Sequence, residues 1–268
     1  LQILYARAMT KLWGKIEQLR SIDNLRLADF GTRRRHSFLW QDWAVQAMTE
    51  GLGSKFVGTS NCLIAKNRDL AAIGTNAHEL PMIYSALATS DSALRQAPYD
   101  VLSDWHDEHD GNLRIILPDT YGTQGFLDNA PDWLAKWTGI RIDSGAPEAG
   151  AEIAIKWWKN RGEDPTQKLV IFSDGLDVDK ISELQSKFDD RVRVSFGWGT
   201  LLTNDFRGLV PEDSLAPFSL VCKPISANGK PTVKLSDNSN KAMGPADEIE
   251  RYKRVFDLTA QSAQDIIV

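Results

Sequence analysis

The chain has only two cysteines among its 268 residues, and neither belongs to a CxxC pair or another metal-like spacing. Cys62 and Cys222 lie far apart, so we expect buried thiols in a reducing compartment and no disulfide framework. No stretch approaches the roughly 20 apolar residues of a transmembrane helix, and no signal segment opens the chain. The sequence therefore predicts a cytoplasmic protein with no membrane partner.

An excess of basic residues is also lacking. Lys and Arg total 31 against 36 Asp and Glu, which gives a net charge of -5. A general nucleic-acid binder needs a broad basic face, so this composition argues against nucleic acid as a partner. Any anionic substrate must then be held by local charge. No internal repeat of constant length is present, which argues against a solenoid.

Six short apolar runs are the main structural signal, and each ends at a cluster of small, hydroxyl-bearing or charged residues. Runs without polar alternation are typical of strands buried on both faces of a parallel sheet. Helix-length segments separate them, so the pattern predicts an irregular α/β barrel with its ligand site at the carboxyl ends of the strands. The predicted strands cover residues 25–30, 56–57, 113–117, 139–142, 169–172 and 192–196.

Helical periodicity and end signals predict helices at 37–52, 61–69, 78–88, 124–137, 147–160 and 178–188. We divide the chain into a leading amphipathic helix (1–24), a catalytic core (25–217) and a closing region (218–268). The leading helix has Ile3 among its apolar residues and is expected to continue from a segment outside this sequence. Residues 88–111 are predicted to form an exposed helix or excursion. The closing region contains a hairpin, with strands at 218–224 and 231–235 around Asn228 and Gly229, then a lysine-bearing loop and a helix.

The strand-terminal clusters suggest anion binding. GTRRR can hold phosphate or carboxylate through its guanidinium groups, or form a solvated turn paired with neighbouring acids. The SDG and GWGT loops can turn backbone N–H groups toward a phosphate. Asp143 and Asp174 can serve ribose hydroxyls or Mg²⁺ waters, although either one alone is more often a turn cap.

The histidines are ambiguous on pattern alone. His78 stands at a predicted helix start beside Glu79, and a lone histidine is more often structural than catalytic. His106 and His109 have the spacing of a metal pair, but their segment is highly polar and lacks a third ligand at fixed spacing. A solvated helix face is the better interpretation of that pair, and we predict no metal-ligating residues.

Seven motifs taken together resemble one family. ADFGTRRR, FVGTSN, GTNAHE, RIDSG, LVIFSDGLD, SFGWGT and NGKPTVKLSD, in this order, resemble the motifs of nicotinate phosphoribosyltransferases over residues 25–237. The resemblance implies the type II phosphoribosyltransferase fold, an irregular α/β barrel that here lacks most of the N-terminal second domain. It also implies that nicotinate and phosphoribosyl pyrophosphate react to nicotinate mononucleotide and pyrophosphate, with Mg²⁺ and with ATP hydrolysis.

The same resemblance assigns roles to individual residues. His78 matches the histidine that the family phosphorylates from ATP, which reverses the structural interpretation given above. Nicotinamide-using relatives carry an acid where this chain has Ser60, a donor that suits a carboxylate. The other implied contacts are Phe30 on the pyridine ring, Arg33 and Arg141 toward phosphate or carboxylate, Asp143 at the ribose reaction centre, Ser173 and Asp174 near the ribose phosphate, and Gly197, Gly199 and Thr200 at the 5′-phosphate.

Two departures keep alternatives open. Family members usually have DSGDP where this chain has DSGAP, so a carboxylate is absent at Ala146. The N-terminal portion of the family is also missing, and in these enzymes a partner subunit completes the pocket, so we expect a homodimer with shared active sites. The alternatives are a nicotinamide or quinolinate phosphoribosyltransferase, or a catalytically silent nucleotide-binding subunit.

Overall fold

A computed structural model describes residues 1–210, 215–238 and 241–258. These residues form two compact units. Unit 1 contains residues 1–74 and the described residues of 169–221, and unit 2 contains residues 75–168 and the described residues from 222 onward. The chain therefore enters each unit twice.

The elements follow in chain order. Unit 1 begins with α1 (Gln2–Arg20), β1 (Leu27–Asp29), α2 (Phe38–Leu52), β2 (Phe56–Thr59) and α3 (Cys62–Arg68), with 3-10 turns at Thr32–Arg34 and Gly53–Lys55. Unit 2 begins with α4 (Glu79–Leu87), α5 (Asp91–Glu108), β3 (Ile115–Ile116), α6 (Thr123–Asp128), α7 (Asp132–Ala135), β4 (Gly139–Ile142), α8 (Pro147–Asn160) and a 3-10 turn at Pro165–Gln167. Unit 1 continues with β5 (Leu169–Phe172), α9 (Val178–Phe188), β6 (Arg193–Trp198) and α10 (Thr200–Thr203). Unit 2 continues with β7 (Ser226–Ala227), β8 (Lys230–Pro231) and α11 (Ala246–Val255).

All six predicted strands are present, and those of unit 1 run parallel in the order β2, β1, β6, β5. Asp29, the last residue of β1, lies opposite Thr59 of β2 and Trp198 of β6. This register brings the ends of three strands to one level, so their loops leave from the same edge. In unit 2, β3 and β4 are also parallel, with Ile115 opposite Gly139.

The strands of unit 1 are apolar because helices cover them. Leu27, Phe172, Phe196 and Trp198 are almost completely buried, and the rings of Phe172 and Phe196 stack with centroids 5.9 Å apart. Burial of each such side chain contributes about 1.5–3 kcal/mol. A separate apolar cluster in unit 2 joins α5, the segment after β3, the segment after β8 and α11.

Local signals explain most helix boundaries. The Asp177 side chain accepts a hydrogen bond from the Lys180 backbone N–H and caps α9, and Pro147 occupies the first turn of α8. The predicted helix 124–137 is wrong as one element, because it divides into α6 and α7 before and after Pro131. Proline lacks an N–H and disfavours the helical conformation of the residue before it. Within the described residues, none of the helices combines the length and the apolar character that a membrane span requires.

Four other expectations need correction. Both cysteines are exposed and not buried, and Ile3, predicted on the apolar side of the leading helix, is 73% exposed. Residues 88–111 contain the helix α5, but Leu94 and Val101 on it are buried. No strand forms at 218–224, and the hairpin is limited to β7 and β8. Its turn residues Asn228 and Gly229 both have positive φ, as a two-residue hairpin loop requires.

Candidate active site

Phe30 lies directly after β1 and packs on the backbone of the GWGT loop in unit 1. Its N–H donates to the Trp198 carbonyl at 2.9 Å. A Cβ built at Gly197 would fall 2.4 Å from Cδ2 of the Phe30 ring, and one at Gly199 would lie 3.4 Å from the Phe30 carbonyl oxygen. Only a residue without a side chain fits position 197 while the ring stays in place. The glycine therefore fixes where the Phe30 ring can lie.

The three arginines of GTRRR have different surroundings. Arg33 is exposed, whereas Arg34 and Arg35 are half-buried. The Arg34 guanidinium donates to the Leu220 carbonyl and to Thr200 Oγ1, at 3.3 and 3.4 Å. The Arg35 guanidinium donates to Gln41 Oε1 at 3.0 Å. The Arg34 and Arg35 guanidiniums therefore contact neutral oxygens of the protein.

The remaining predicted residues of unit 1 lie at strand ends. Ser60 is half-buried after β2, and its N–H donates to the Asp29 carbonyl at 2.7 Å. Ser173 and Asp174 follow β5, and Asp174 is exposed. Thr200 opens the four-residue helix α10, and Gly199 precedes it. Unit 1 thus carries the residues that the resemblance assigns to the pyridine ring, the ribose phosphate region and the 5′-phosphate.

His78 lies in unit 2, just before α4, and is only 4% exposed. Nδ1 lies 2.9 Å from Thr120 Oγ1, and Nε2 lies 3.2 Å from Asp143 Oδ2. The other oxygen of Asp143 accepts from the Arg141 guanidinium at 2.6 Å, and that guanidinium also donates to Thr75 Oγ1. The structure therefore brings His78, Arg141 and Asp143 into one cluster, and the imidazole is not enclosed by hydrocarbon.

Asp119 adds a second carboxylate to this cluster. It is 1% exposed, and its Oδ1 lies 3.7 Å from His78 Nε2. Its Oδ2 accepts from Ser144 Oγ, while Oδ1 has no hydrogen-bond partner among the described residues. A buried carboxylate oxygen in this state can ligate a metal ion or bind a donor from a substrate. In the described part of the chain, no three or more His, Cys, Asp or Glu side chains are arranged so that they could hold a metal ion by themselves.

A lysine balances these carboxylates. Lys234 is 6% exposed, and burial lowers its pKa while the charges of Asp119 and Asp143 act in the opposite direction. The residues that follow it hold the PDTYGT segment, since the Leu235 and Ser236 N–H groups both donate to the Thr120 carbonyl. Asp237 continues the contact by accepting from the Thr123 N–H and hydroxyl.

Ala146 occupies the N-cap of α8 and makes no side-chain cap bond. An aspartate at an N-cap accepts from the first N–H groups of the helix, and its loss costs about 0.5–2 kcal/mol. The acid that the family usually has at this position would therefore have a capping function here. Pro147 compensates in part, because its ring already sets a helical φ.

Sequence reasoning missed the residues that surround His78. Asp119 and Thr120 beside His78, and Lys234 and Asp237 in the segment bonded to residues 120–123, were given no role. The first two lie in the polar cluster after the predicted strand 113–117, and the other two lie in the NGKPTVKLSD motif. Asp119 could have been found from its position two residues after the predicted strand 113–117. Lys234 could not, because its burial near two carboxylates depends on chain segments far apart in sequence.

The model of the nicotinate phosphoribosyltransferase family matches residues 25–260. The chain belongs to this family. The nicotinate phosphoribosyltransferase of Vibrio cholerae is 36% identical, with a TM-score of 0.86 over 93% of this chain and 60% of that one. The Porphyromonas gingivalis nicotinate phosphoribosyltransferase is 30% identical, with a TM-score of 0.84 over 96% of this chain and 64% of that one.

These matches confirm the predicted family and the α/β fold class, since both structures align over more than nine-tenths of this chain. The chain spans less than two thirds of the length of either nicotinate phosphoribosyltransferase. In α/β folds, ligands bind at the carboxyl ends of parallel strands, which is where the polar clusters of this chain lie.

Proposed function

We propose that the protein transfers the ribosyl phosphate of phosphoribosyl pyrophosphate to nicotinate and couples this reaction to ATP hydrolysis through a phosphohistidine. The observation that supports the proposal most is the buried His78 imidazole, bonded to Thr120 and Asp143 next to Arg141. An imidazole beside carboxylate, guanidinium and hydroxyl groups can act as a nucleophile, and charged clusters of this kind are typical of functional sites.

In the ribosyl transfer, the bond from ribose C1 to the pyrophosphate oxygen breaks, and pyrophosphate leaves with the electron pair. The lone pair of the pyridine nitrogen forms the new bond to C1, so no general base is required. The developing positive charge on the sugar favours a nearby carboxylate, which we assign to Asp143. Arg33 and Arg141 would face substrate phosphate or carboxylate, and Phe30 would stack on the pyridine ring.

Ribose and phosphate contacts complete the proposed site. Ser173 and Asp174 would contact the ribose phosphate region, and Gly197, Gly199 and Thr200 would hold the 5′-phosphate through backbone N–H and hydroxyl groups. Mg²⁺ usually binds one or two carboxylates together with substrate phosphates. Asp119 and Asp143 have the oxygen donors that suit this ion, which when bound would neutralise charge on the departing pyrophosphate.

In the ATP step, a lone pair of the His78 imidazole forms a bond to the γ-phosphorus, and ADP leaves with the bridging oxygen. Water later removes the phosphoryl group as inorganic phosphate. Lys234 would stabilise the added negative charge, since its amine interacts electrostatically with Asp119 and Asp143 beside His78. The phosphoryl group would couple the two reactions by changing the affinities for substrates and products.

We further propose a homodimer with shared active sites and a cytoplasmic location. The motif resemblance supports the dimer, because a partner subunit supplies part of the pocket in this family. The two unbridged cysteines are compatible with a reducing compartment.

Direct assay of the complete protein tests the proposal. It would be incubated with phosphoribosyl pyrophosphate, Mg²⁺ and either nicotinate, nicotinamide or quinolinate, with and without ATP. We expect nicotinate mononucleotide as the main product and faster formation with ATP. Preference for nicotinamide would contradict the role of Ser60, and absence of any product would favour a silent subunit.

Gly197→Ala tests the assignment of Phe30 to the pyridine ring. The new methyl group would overlap the ring, and such overpacking costs about 1–3 kcal/mol. We expect the KM for nicotinate to rise about 5- to 150-fold if the displaced ring loses its stacking contact. Gly14→Ala is the matched control, because a Cβ at Gly14 meets nothing within 4 Å. An unchanged KM in Gly197→Ala would contradict the assignment.

A further inference from the structure

Asp29 is a completely buried acid in unit 1 whose carboxylate contacts three different segments. Its Oδ1 accepts from the Gly31 N–H at 2.7 Å. Its Oδ2 accepts from Gln41 Nε2 of α2 at 2.7 Å and from Thr59 Oγ1 of β2 at 2.6 Å. Burial raises the pKa of Asp29, and these three hydrogen bonds oppose the rise. No role has been assigned to this residue in the reaction described above.

Backbone N–H groups determine which partner is the donor in the hydrogen bonds to Asp29. These bonds form a network that includes Gln41, Thr59 and Asn61. The Ile64 N–H donates to Asn61 Oδ1, so the Asn61 amide nitrogen must donate to Gln41 Oε1, at 3.1 Å. The Arg35 guanidinium donates to the same Gln41 oxygen. Gln41 must therefore present its nitrogen to Asp29.

The hydrogen bond between Thr59 and Asp29 also has Asp29 as its acceptor. The Asn61 N–H donates to Thr59 Oγ1 at 3.0 Å, so the Thr59 hydroxyl hydrogen is directed to Asp29. The Gly31 N–H can only donate. All three groups around Asp29 are consequently donors. An ionised carboxylate can accept from all three, whereas the hydrogen of a protonated carboxyl group would face one of these donors.

The network lies directly behind two proposed substrate contacts. Phe30 lies in the chain between Asp29 and Gly31, and the hydrogen bond from the Gly31 N–H to the Asp29 carboxylate joins these two neighbours. The Ser60 N–H donates to the Asp29 carbonyl, and Ser60 stands between Thr59 and Asn61, which belong to the network. The position of the aromatic ring and that of the hydroxyl group therefore depend on the same buried charge.

We propose that Asp29 is a positioning residue that fixes Phe30 and Ser60 relative to each other and so sets the affinity for the pyridine substrate. This inference rests on the proposed function, because it concerns the specificity of that same site. Asp29 touches no substrate in this scheme and acts through the FGTRRR and GTSN segments. The hydrogen bonds of His78, to Thr120 and Asp143, lie outside the network.

Asp29→Asn is the first test. The asparagine side chain has nearly the shape of aspartate, but its amide nitrogen would face at least one of the three groups that donate to Asp29. One mismatched buried hydrogen bond corresponds to about 5- to 150-fold in affinity. We expect the KM for nicotinate to rise by this factor, and to rise more than the KM for phosphoribosyl pyrophosphate. Labelling of His78 by ATP should also be unchanged.

The double variant Asp29→Asn with Gln41→Glu is the second test. It moves the negative charge to position 41, where the new carboxylate accepts from Arg35, Asn61, Thr32 and the amide introduced at position 29. We expect this variant to recover most of the nicotinate affinity. Asp42→Asn is the matched control: Asp42 neighbours Gln41 but binds Arg68 instead of the network, so its loss should leave both KM values unchanged.

The outcomes separate the two proposals. A protein that makes no nicotinate mononucleotide before mutation overturns the proposed function. An active protein in which Asp29→Asn leaves the ratio of the two KM values unchanged overturns the positioning role alone. If Asp29→Asn does not fold, the double variant decides, since a folded double variant with a raised KM for nicotinate also overturns it.

Discussion

His78→Gln should form nicotinate mononucleotide at one rate whether or not ATP is present. Glutamine can keep polar contacts with Thr120 and Asp143, but its amide nitrogen has no available lone pair for phosphoryl transfer. Coupling between two sites is typically worth about 1–3 kcal/mol, or 5- to 150-fold. In the unmodified protein we expect ATP to raise kcat/KM by about this factor, and in His78→Gln we expect ATP to leave kcat/KM unchanged. Incubation of His78→Gln with γ-labelled ATP should leave no acid-labile label on the protein.

A second histidine provides the control for this experiment. His109 directly follows α5 and packs edge-to-face against Trp105, with ring centroids 4.2 Å apart. His109→Gln should keep both the label and the ATP effect. Label that persists in His78→Gln would show that another residue receives the phosphoryl group, and the proposed coupling would then be wrong.

Asp143→Asn should reduce kcat about 10²- to 10³-fold, the effect of removing one preorganised electrostatic contact in an active site. The Asp143 carboxylate accepts from Arg141 and contacts His78. An uncharged amide would remove the negative charge proposed to stabilise the cationic sugar and would leave the Arg141 charge without its carboxylate. Steady-state kinetics with saturating nicotinate and phosphoribosyl pyrophosphate measure the change.

The matched control uses another arginine–aspartate pair of unit 2. Asp132 binds Arg161, but its side chain is 98% exposed, and surface pairs contribute little to stability. Asp132→Asn should leave kcat unchanged. If Asp143→Asn reduced only the thermal stability and kept kcat, Asp143 would be a structural partner of Arg141 and not a catalytic group.

The fold could be predicted from sequence where local patterns agree with the tertiary environment. β4, β5, α8 and α9 have the predicted boundaries, because buried apolar runs and helix caps mark their ends. Pro131 marks the break between α6 and α7 in the sequence. The prediction of a single helix at 124–137 gave more weight to the helical periodicity than to this proline. The exposure of Cys62 and Cys222 could not be predicted, since it depends on which neighbours cover each thiol.

The candidate site was predictable mainly as a set of motifs. His78, Arg141 and Asp143 lie together as the resemblance implied, although pattern alone had favoured a structural role for His78. The environment of Asp29 was not visible in the sequence, because its three donors come from residues 31, 41 and 59. Hydrogen-bond polarity of this kind emerges only from the folded chain.

Thr120 connects two parts of unit 2 through different atoms. Its hydroxyl touches the His78 ring, while its carbonyl oxygen receives the N–H groups of Leu235 and Ser236. An imidazole that gained a bulky dianion would disturb the hydroxyl contact, and the backbone at 235–236 would have to move with residue 120 or lose two hydrogen bonds. Hydrogen exchange at the Leu235 and Ser236 amides would therefore report whether His78 is phosphorylated, although neither amide contacts the phosphoryl group.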